Sequence, residues 1–288
     1  MGYKHISNLY KDQTILMFKE CYALEKIHGT SAHISWNADN KELHLFSGGE
    51  KYSNFKSLFN SEELEEKFKI ISNSNIIIYG EAYGGKQQKM SNTYGKELKF
   101  IAFEVKIGGV WLNVPSAEGV CKSLGFEFVD YVKVSTDLEF LNAERDKPSI
   151  QAIRNGCGEK MREGIVLRPL VELTMNNGER IIAKHKGENF KETKTQKEVS
   201  SEKLKVMENA KAIAEEWVTE VRLSHILDKF PQDINIEGMG IVIKTMIEDV
   251  YREAKGEIVE SKDVQKYIGS KTAILFKKRL QDIFCYEI

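Results

Sequence analysis

Residues 1–195 alternate short β-branched and aromatic runs with polar turns. Ala32–Trp36, Leu43–Phe46, Ile76–Tyr79, Phe100–Ile107 and Ile165–Leu167 are bounded by glycine, asparagine and aspartate. That texture predicts strands. Two helical stretches interrupt it, Ser61–Ile70, with glutamates in its first turn, and Pro115–Leu124. The spacing changes after about residue 195. Leu204, Met207, Ala210, Ile213, Ala214, Trp217, Val221, Ile226 and Leu227 recur at helical intervals through Ser200–Phe230, which ends at Pro231. Further helices are expected over Met239–Ala254, Lys262–Ile268 and Thr272–Tyr286. The chain therefore reads as α+β, with a mixed domain over 1–195 and a small all-helical domain over 196–288.

Composition narrows the class. The 288 residues are 41% hydrophobic with 4 prolines, which excludes wholesale disorder and collagen-like repeats. No apolar run approaches the roughly 18–20 residues that span a bilayer, and the opening MGYKHISNLYKDQ is too polar for a signal peptide. Cys21, Cys121, Cys157 and Cys285 form no CxxC pair, which argues against a zinc ribbon or a disulfide framework. A soluble, cytoplasmic protein with no membrane partner is the expectation.

Charge adds a constraint. With 42 basic and 43 acidic residues the net charge is −1, so any nucleic-acid function must rest on local patches. The densest basic stretch is Lys184, Lys186, Lys191, Lys194, Lys197, Lys203 and Lys205. Glutamates 188, 192, 198 and 202 are interleaved with it, as in a solvated linker.

The candidate chemistry begins at Glu25-Lys26-Ile27-His28-Gly29-Thr30. This segment contains KxxG, a pattern found around lysines that attack a nucleotide phosphate. KxxG alone has little weight, since it starts at five lysines here: Lys26, Lys106, Lys122, Lys184 and Lys266. An ordered set of segments singles out Lys26. Ile76–Tyr79 runs into Gly80-Glu81; Phe100–Val105 places Phe103 beside Glu104; Glu163 opens the strand of Ile165–Leu167. Ile181-Ile182-Ala183-Lys184-His185-Lys186 ends a strand with two lysines on one face.

This set resembles motifs I, III, IIIa, IV and V of the covalent nucleotidyltransferases: DNA ligases, RNA ligases and mRNA-capping enzymes. The Glu-Lys-Ile-His-Gly-Thr form is most similar to the ATP-dependent RNA ligase 2 family, which includes RNA-editing ligases. The resemblance implies a nucleotidyltransferase (ATP-grasp-like ligase) domain with antiparallel sheets. It implies an RNA-repair ligase that uses ATP and Mg²⁺, with Mn²⁺ as an alternative. Lys26 would take AMP as a phosphoramidate and pass it to a 5′-phosphate RNA end, which a 3′-hydroxyl then attacks. The implied partner is nicked or broken RNA, and the protein is expected to be a monomer. The same fold also serves DNA ligases, GTP-dependent capping guanylyltransferases and non-catalytic nucleic-acid-binding relatives; the helical tail, where those enzymes carry an OB-fold, favours RNA.

The resemblance also assigns roles. Lys184 and Lys186 would depress the pKa of Lys26 and stabilise charge on the α-phosphate. Glu163 suits a hard, oxygen-seeking cation. Phe103 would stack on adenine, Glu81 would accept from the ribose hydroxyl, and the backbone at Glu25 and Ile27 would read the adenine edge. His28 either positions a reacting group or holds the turn. Two positions depart from the family pattern. Ser31 stands where an asparagine contacts the nucleotide, and Ser47 where a basic residue is expected. Lys51, Lys56 or the Gly48-Gly49 turn are the candidate replacements for that missing cation.

Overall fold

The computed structural model describes residues 3–175, 177–190, 201–228, 230, 234–255 and 257–286, the side chains of 283–286 excepted. Two compact units follow one another, Met1–Lys197 and Glu198–Ile288.

The first unit holds the strands β1 (Glu20–Glu25), β2 (Thr30–Asn37), β3 (Glu42–Ser47), β4 (Ile76–Gly84), β5 (Leu98–Ile107), β6 (Val110–Trp111), β7 (Tyr131–Ser135), β8 (Gly164–Pro169) and β9 (Ala183–Lys186). Its helices are α1 (Tyr52–Lys56), α2 (Ser61–Ile71), α3 (Ser91–Tyr94), α4 (Val114–Leu124), α5 (Leu138–Arg145) and α6 (Ile150–Arg154). They form a four-stranded sheet, β7-β1-β8-β9, and a five-stranded sheet, β3-β2-β4-β5-β6. All pairings within both sheets are antiparallel.

Alternation assigns the two faces of the five-stranded sheet. Ala32, Ile34 and Trp36 of β2 are buried with Ile76 and Ile78 of β4, and they share a core with Phe55 of α1, Leu64 and Phe68 of α2, and Ala117 and Cys121 of α4. Trp36 and Phe68 stack with centroids 6.1 Å apart. Asn60 and Asn113 cap α2 and α4 by accepting from Glu63 and Ser116 N–H groups, so both helices begin where the chain must turn onto this core. The opposite face of the sheet carries Ser31 and His33 of β2 and Tyr79 and Glu81 of β4, paired across the strands.

The second unit is helical: α7 (Ser201–Trp217), α8 (Glu220–Leu227), α9 (Met239–Glu253) and α10 (Lys262–Tyr286). Met207, Ala210, Leu223, Ile226, Val242, Met246, Ile268 and Phe276 are buried in it. Two boundaries differ from the spacing-based expectation. Ser200–Phe230 is not one helix: Thr219 leaves helical geometry and caps α8 by accepting from Arg222 N–H. Lys262–Ile268 and Thr272–Tyr286 are one helix, because the Thr272 hydroxyl donates to the Ile268 carbonyl four residues back and keeps the polar Gly269–Thr272 stretch helical. Pro231, Lys191, Lys194 and Lys197 lie outside the described residues. Among the described residues no helix is long and apolar enough to cross a membrane.

Candidate functional site

Lys26 follows directly on the end of β1, and its N–H donates to the carbonyl of Gly164 at 3.0 Å. Gly164 opens β8 immediately after Glu163. A side chain at Gly164 would have its Cβ 2.3 Å from the His185 carbonyl, so only glycine lets β9 approach this closely. The effect is to bring Lys26, Glu163 and the end of β9 to one point.

Glu163 is the hub of that point, with its side chain 1% exposed. Its Oε2 accepts from Lys26 Nζ at 3.0 Å and lies 3.1 Å from His28 Nδ1; its Oε1 lies 3.3 Å from Lys186 Nζ. Burial alone would push this carboxyl up, but His28 and Lys26 outweigh burial and hold it down at about 2. Lys184 is buried. Lys184 pairs with Val166 and Lys186 with Gly164, and these pairings put both lysines on the face that carries Leu24 and Val166. His185, between them, points to the other face and meets Arg145 and Asn142 of α5 at 3.0 and 2.7 Å.

The cavity beside Lys26 is lined by Leu24, Val166 and Arg168 from the four-stranded sheet, and by Ser31, Glu81, Phe103 and Glu104 from the five-stranded one. Glu81 Oε1 accepts from the N–H of Gly29 at 3.2 Å. Gly29 is required there, since a Cβ would lie 2.3 Å from the Ala82 carbonyl. Burial pushes the Glu81 carboxyl up to about 7, against the opposing pull of Lys26. The two carboxylates facing Lys26 are thus driven apart, one held ionised and the other made easy to protonate.

Phe103 reaches the cavity through a β-bulge. Tyr79 pairs with Glu104 and Gly80 with Ala102, which leaves Phe103 as the extra residue on β5. Neighbouring strand residues ordinarily face opposite ways; the bulge turns Phe103 and Glu104 to the same side. Glu104 is fully buried against Arg168 and Arg180, with the Tyr3 hydroxyl donating to it at 2.5 Å. Burial would raise this carboxyl, and the two arginines reverse that and lower it.

Glu25 and Ile27 also border the site. Ile27 is buried in the wall. The Glu25 carboxylate points away from the cavity and accepts from the Ser149 hydroxyl at 2.5 Å and from Ile150 and Gln151 N–H groups at 3.0 and 3.2 Å. It fastens the residue before Lys26 to the start of α6. Burial raises its pKa, opposed first by Ser149 and then by Arg162.

The residues considered for the missing cation lie elsewhere. Ser47 pairs with Ala32, so its side chain faces the core and its Oγ is buried without a hydrogen-bond partner. Lys51 and Lys56 are exposed and do not line the cavity. The Gly48 N–H donates to the Ser31 carbonyl at 2.9 Å and is not presented to a phosphate.

Sequence patterning gave no sign of several wall residues. Tyr3 and Ile6 line the cavity, and the Tyr3 ring sits edge-on to Phe103 with centroids 5.1 Å apart. The segment behind them pairs with β9: Lys184 N–H donates to Ser7 and Leu9 N–H to Lys184. Phe190 lies 5.5 Å from the His28 ring.

A divalent cation fits this donor set in the way Mg²⁺ usually binds. Among the described residues no three His, Cys, Asp or Glu side chains cluster as a preformed cage. Glu163 is a buried, ionised carboxylate whose oxygens here meet Lys26, His28 and Lys186. A single such carboxylate is the kind of donor used by a cation that keeps its waters and takes substrate phosphates as ligands.

Two antiparallel sheets enclose a lysine, a carboxylate hub and an aromatic wall, the fold of a ligase-type nucleotidyltransferase domain. The chain belongs to the RNA ligase family, whose model matches residues 19–186. No curated protein sequence matches it. Among solved structures it is similar in fold to an RNA ligase from Naegleria gruberi. A variant of that ligase with ATP and Mn aligns at 15% identity and a TM-score of 0.51, covering 66% of this chain and 56% of the other. The same ligase with PPi aligns at 16% and 0.50, and a variant with AMP and Mn at 14% and 0.50. The chain thus spans somewhat over half of that ligase's length.

Proposed function

We propose that this protein is an ATP-dependent RNA ligase that joins 3′-hydroxyl and 5′-phosphate ends through a lysyl-AMP on Lys26. The observation that carries the reading is the convergence of Lys26, Lys186 and His28 on the buried Glu163 beside a cavity walled by Phe103 and Glu81.

In this reading the Lys26 amine, freed of its proton, attacks the α-phosphorus of ATP, and the bond to pyrophosphate breaks. Lys184 and Lys186 on the cavity face offset the negative charge that develops on the phosphate. A divalent cation on Glu163 and the nucleotide's phosphates would neutralise charge there. Phe103 supplies a ring for the adenine, Glu81 an acceptor for the ribose, and Ser31 a hydroxyl at the pocket edge. His28 keeps a grip on Glu163 when Lys26 leaves it. AMP then passes to the 5′-phosphate of an RNA end; attack by the 3′-hydroxyl seals the strand and releases AMP. Every candidate residue lies within 1–195, which we assign to adenylyl transfer; the helical part, 196–288, is assigned to holding RNA.

Sealing of nicked duplexes tests the reading. A nick with RNA on its 3′-hydroxyl side should be sealed in the presence of ATP and Mg²⁺, and an all-DNA nick much more slowly. Equal sealing of both would contradict the assignment to RNA.

A further inference from the structure

The edge of the five-stranded sheet beyond the nucleotide cavity presents rings where the family pattern leads one to expect a cation. On β3 the register pairs His33 with Phe46 and Ala32 with Ser47. Opposite residues of an antiparallel pair share a face, so Phe46, not Ser47, shares the cavity-side face with His33. Phe46 is 45% exposed, so part of its ring is open to solvent on this face. Its ring stacks on His33 with centroids 4.9 Å apart and planes 25° from parallel, and His33 in turn meets Tyr79 at 5.9 Å.

This ring pair is continuous with the site. His33 lies two residues along β2 from Ser31, about 6.6 Å in an extended strand, and Tyr79 lies two residues from Glu81. Ser31 and Glu81 both line the cavity. An RNA end delivered to an adenylate in that cavity must pass over a neighbouring surface. At the β3 position of the expected cation the surface offers an aromatic face: Ser47 faces the core, and Gly48 N–H is engaged by Ser31. Burial also lowers the pKa of His33, which favours a neutral ring over a cation. Aromatic faces bind unpaired bases of any sequence by stacking, a contribution that does not depend on counterion release. For a chain of net charge −1, such a contribution offsets the weakness of its electrostatic attraction to RNA.

We propose that Phe46, stacked on His33, is a shelf for an unpaired base at the RNA end being joined. The proposal rests on the RNA-ligase reading above and names how that site takes its polynucleotide: by a ring at the sheet edge in place of a cation on β3.

The test measures binding of a short single-stranded RNA with a 5′-phosphate, intact or with its terminal nucleotides abasic, to the full chain and to Phe46→Ala, Phe46→Leu and Phe46→Trp. Phe46→Ala and Phe46→Leu should bind the intact RNA roughly 5- to 100-fold more weakly, and Phe46→Trp should restore binding. The abasic RNA should erase the difference between the variants, and the salt dependence of binding should keep its slope. The ratio of sealing rate to self-adenylylation rate should fall in Phe46→Ala. Equal binding by Phe46→Ala, a loss that persists with the abasic RNA, or a shallower salt slope would each overturn the shelf. So would a change in self-association as the main effect of Phe46→Ala, since it would make the ring a contact between copies. Failure of the ligase reading shows separately, as absence of AMP on Lys26 of the unsubstituted chain.

Discussion

The two walls of the cavity are built on different physics. The wall from β1 and β8 lines the cavity with Leu24, Val166 and Arg168 around Lys26. Behind Lys26 it is an ionic wall, where Lys26, Lys186 and His28 converge on one carboxylate held at about 2. The wall from β2, β4 and β5 is formed by a bulged aromatic, a hydroxyl and a carboxyl pushed up to about 7. In the proposed reading the first stabilises charge as a phosphate reacts and the second grips a nucleoside that does not react. The contrast assigns reaction and recognition to different walls, so substitution on each should affect different steps.

The largest effect is expected on the ionic wall. Glu163→Gln removes the charge that gathers three partners, and Lys186→Ala removes one of those partners, the cation assigned above to the phosphate. Each should slow self-adenylylation by on the order of 10²-fold or more, measured at saturating ATP in a single turnover. A change confined to KM would merge the two walls into one function. On the other wall, Phe103→Ala should weaken ATP binding roughly 5- to 100-fold, as loss of a base–ring stack does, with a smaller change in the saturated rate. A fall in the saturated rate at unchanged KM would break the comparison from the other side.

A smaller effect is expected behind the ionic wall. Glu25→Gln leaves the Ile150 and Gln151 N–H groups facing a weaker acceptor and should cost about 1–3 kcal/mol in thermal or denaturant unfolding. A further effect is in pH. Glu163 titrates below the ordinary value of 4.5, so the stability it contributes is complete above about 4.5 and is lost as pH falls toward 2. Glu81 titrates above that value, so its contribution is greatest below about 4.5 and declines as pH rises toward 7. Glu81→Gln should flatten the upper limb of the stability–pH curve and leave the lower limb in place. A change in the lower limb alone would invert the assignment of the two carboxyls.

The ionic wall was legible in the sequence because its members sit at recognisable places: beside a glycine turn, at the head of a strand, and two apart on one strand. The aromatic wall was legible only in part. Phe103 stood out beside Glu104, yet simple alternation puts neighbours on opposite faces, and a bulge is a property of pairing with β4. The face Ser47 takes was not legible for a related reason: a shift of one residue reverses the face, and the pairing of Ala32 with Ser47 is settled by the partner strand. Tyr3 left no trace, since nothing in the N-terminal segment foretells its pairing with β9. The short helices α5 and α6 were also missed. Five to eight residues carry too little periodicity, and the start of α6 takes its acceptor from Glu25, more than 100 positions away.

The central claim is that Lys26 is the nucleophile, held in place by the ionic cluster around Glu163. Intact-mass analysis after incubation with ATP and Mg²⁺, followed by peptide mapping, tests it most directly. The account predicts one AMP per chain, located on Lys26, absent from Lys26→Ala and present in Lys122→Ala, whose lysine shares the KxxG spacing but pairs with Glu118 on the surface. A chain that acquires no AMP, or a Lys26→Ala variant that still acquires it, would contradict the account.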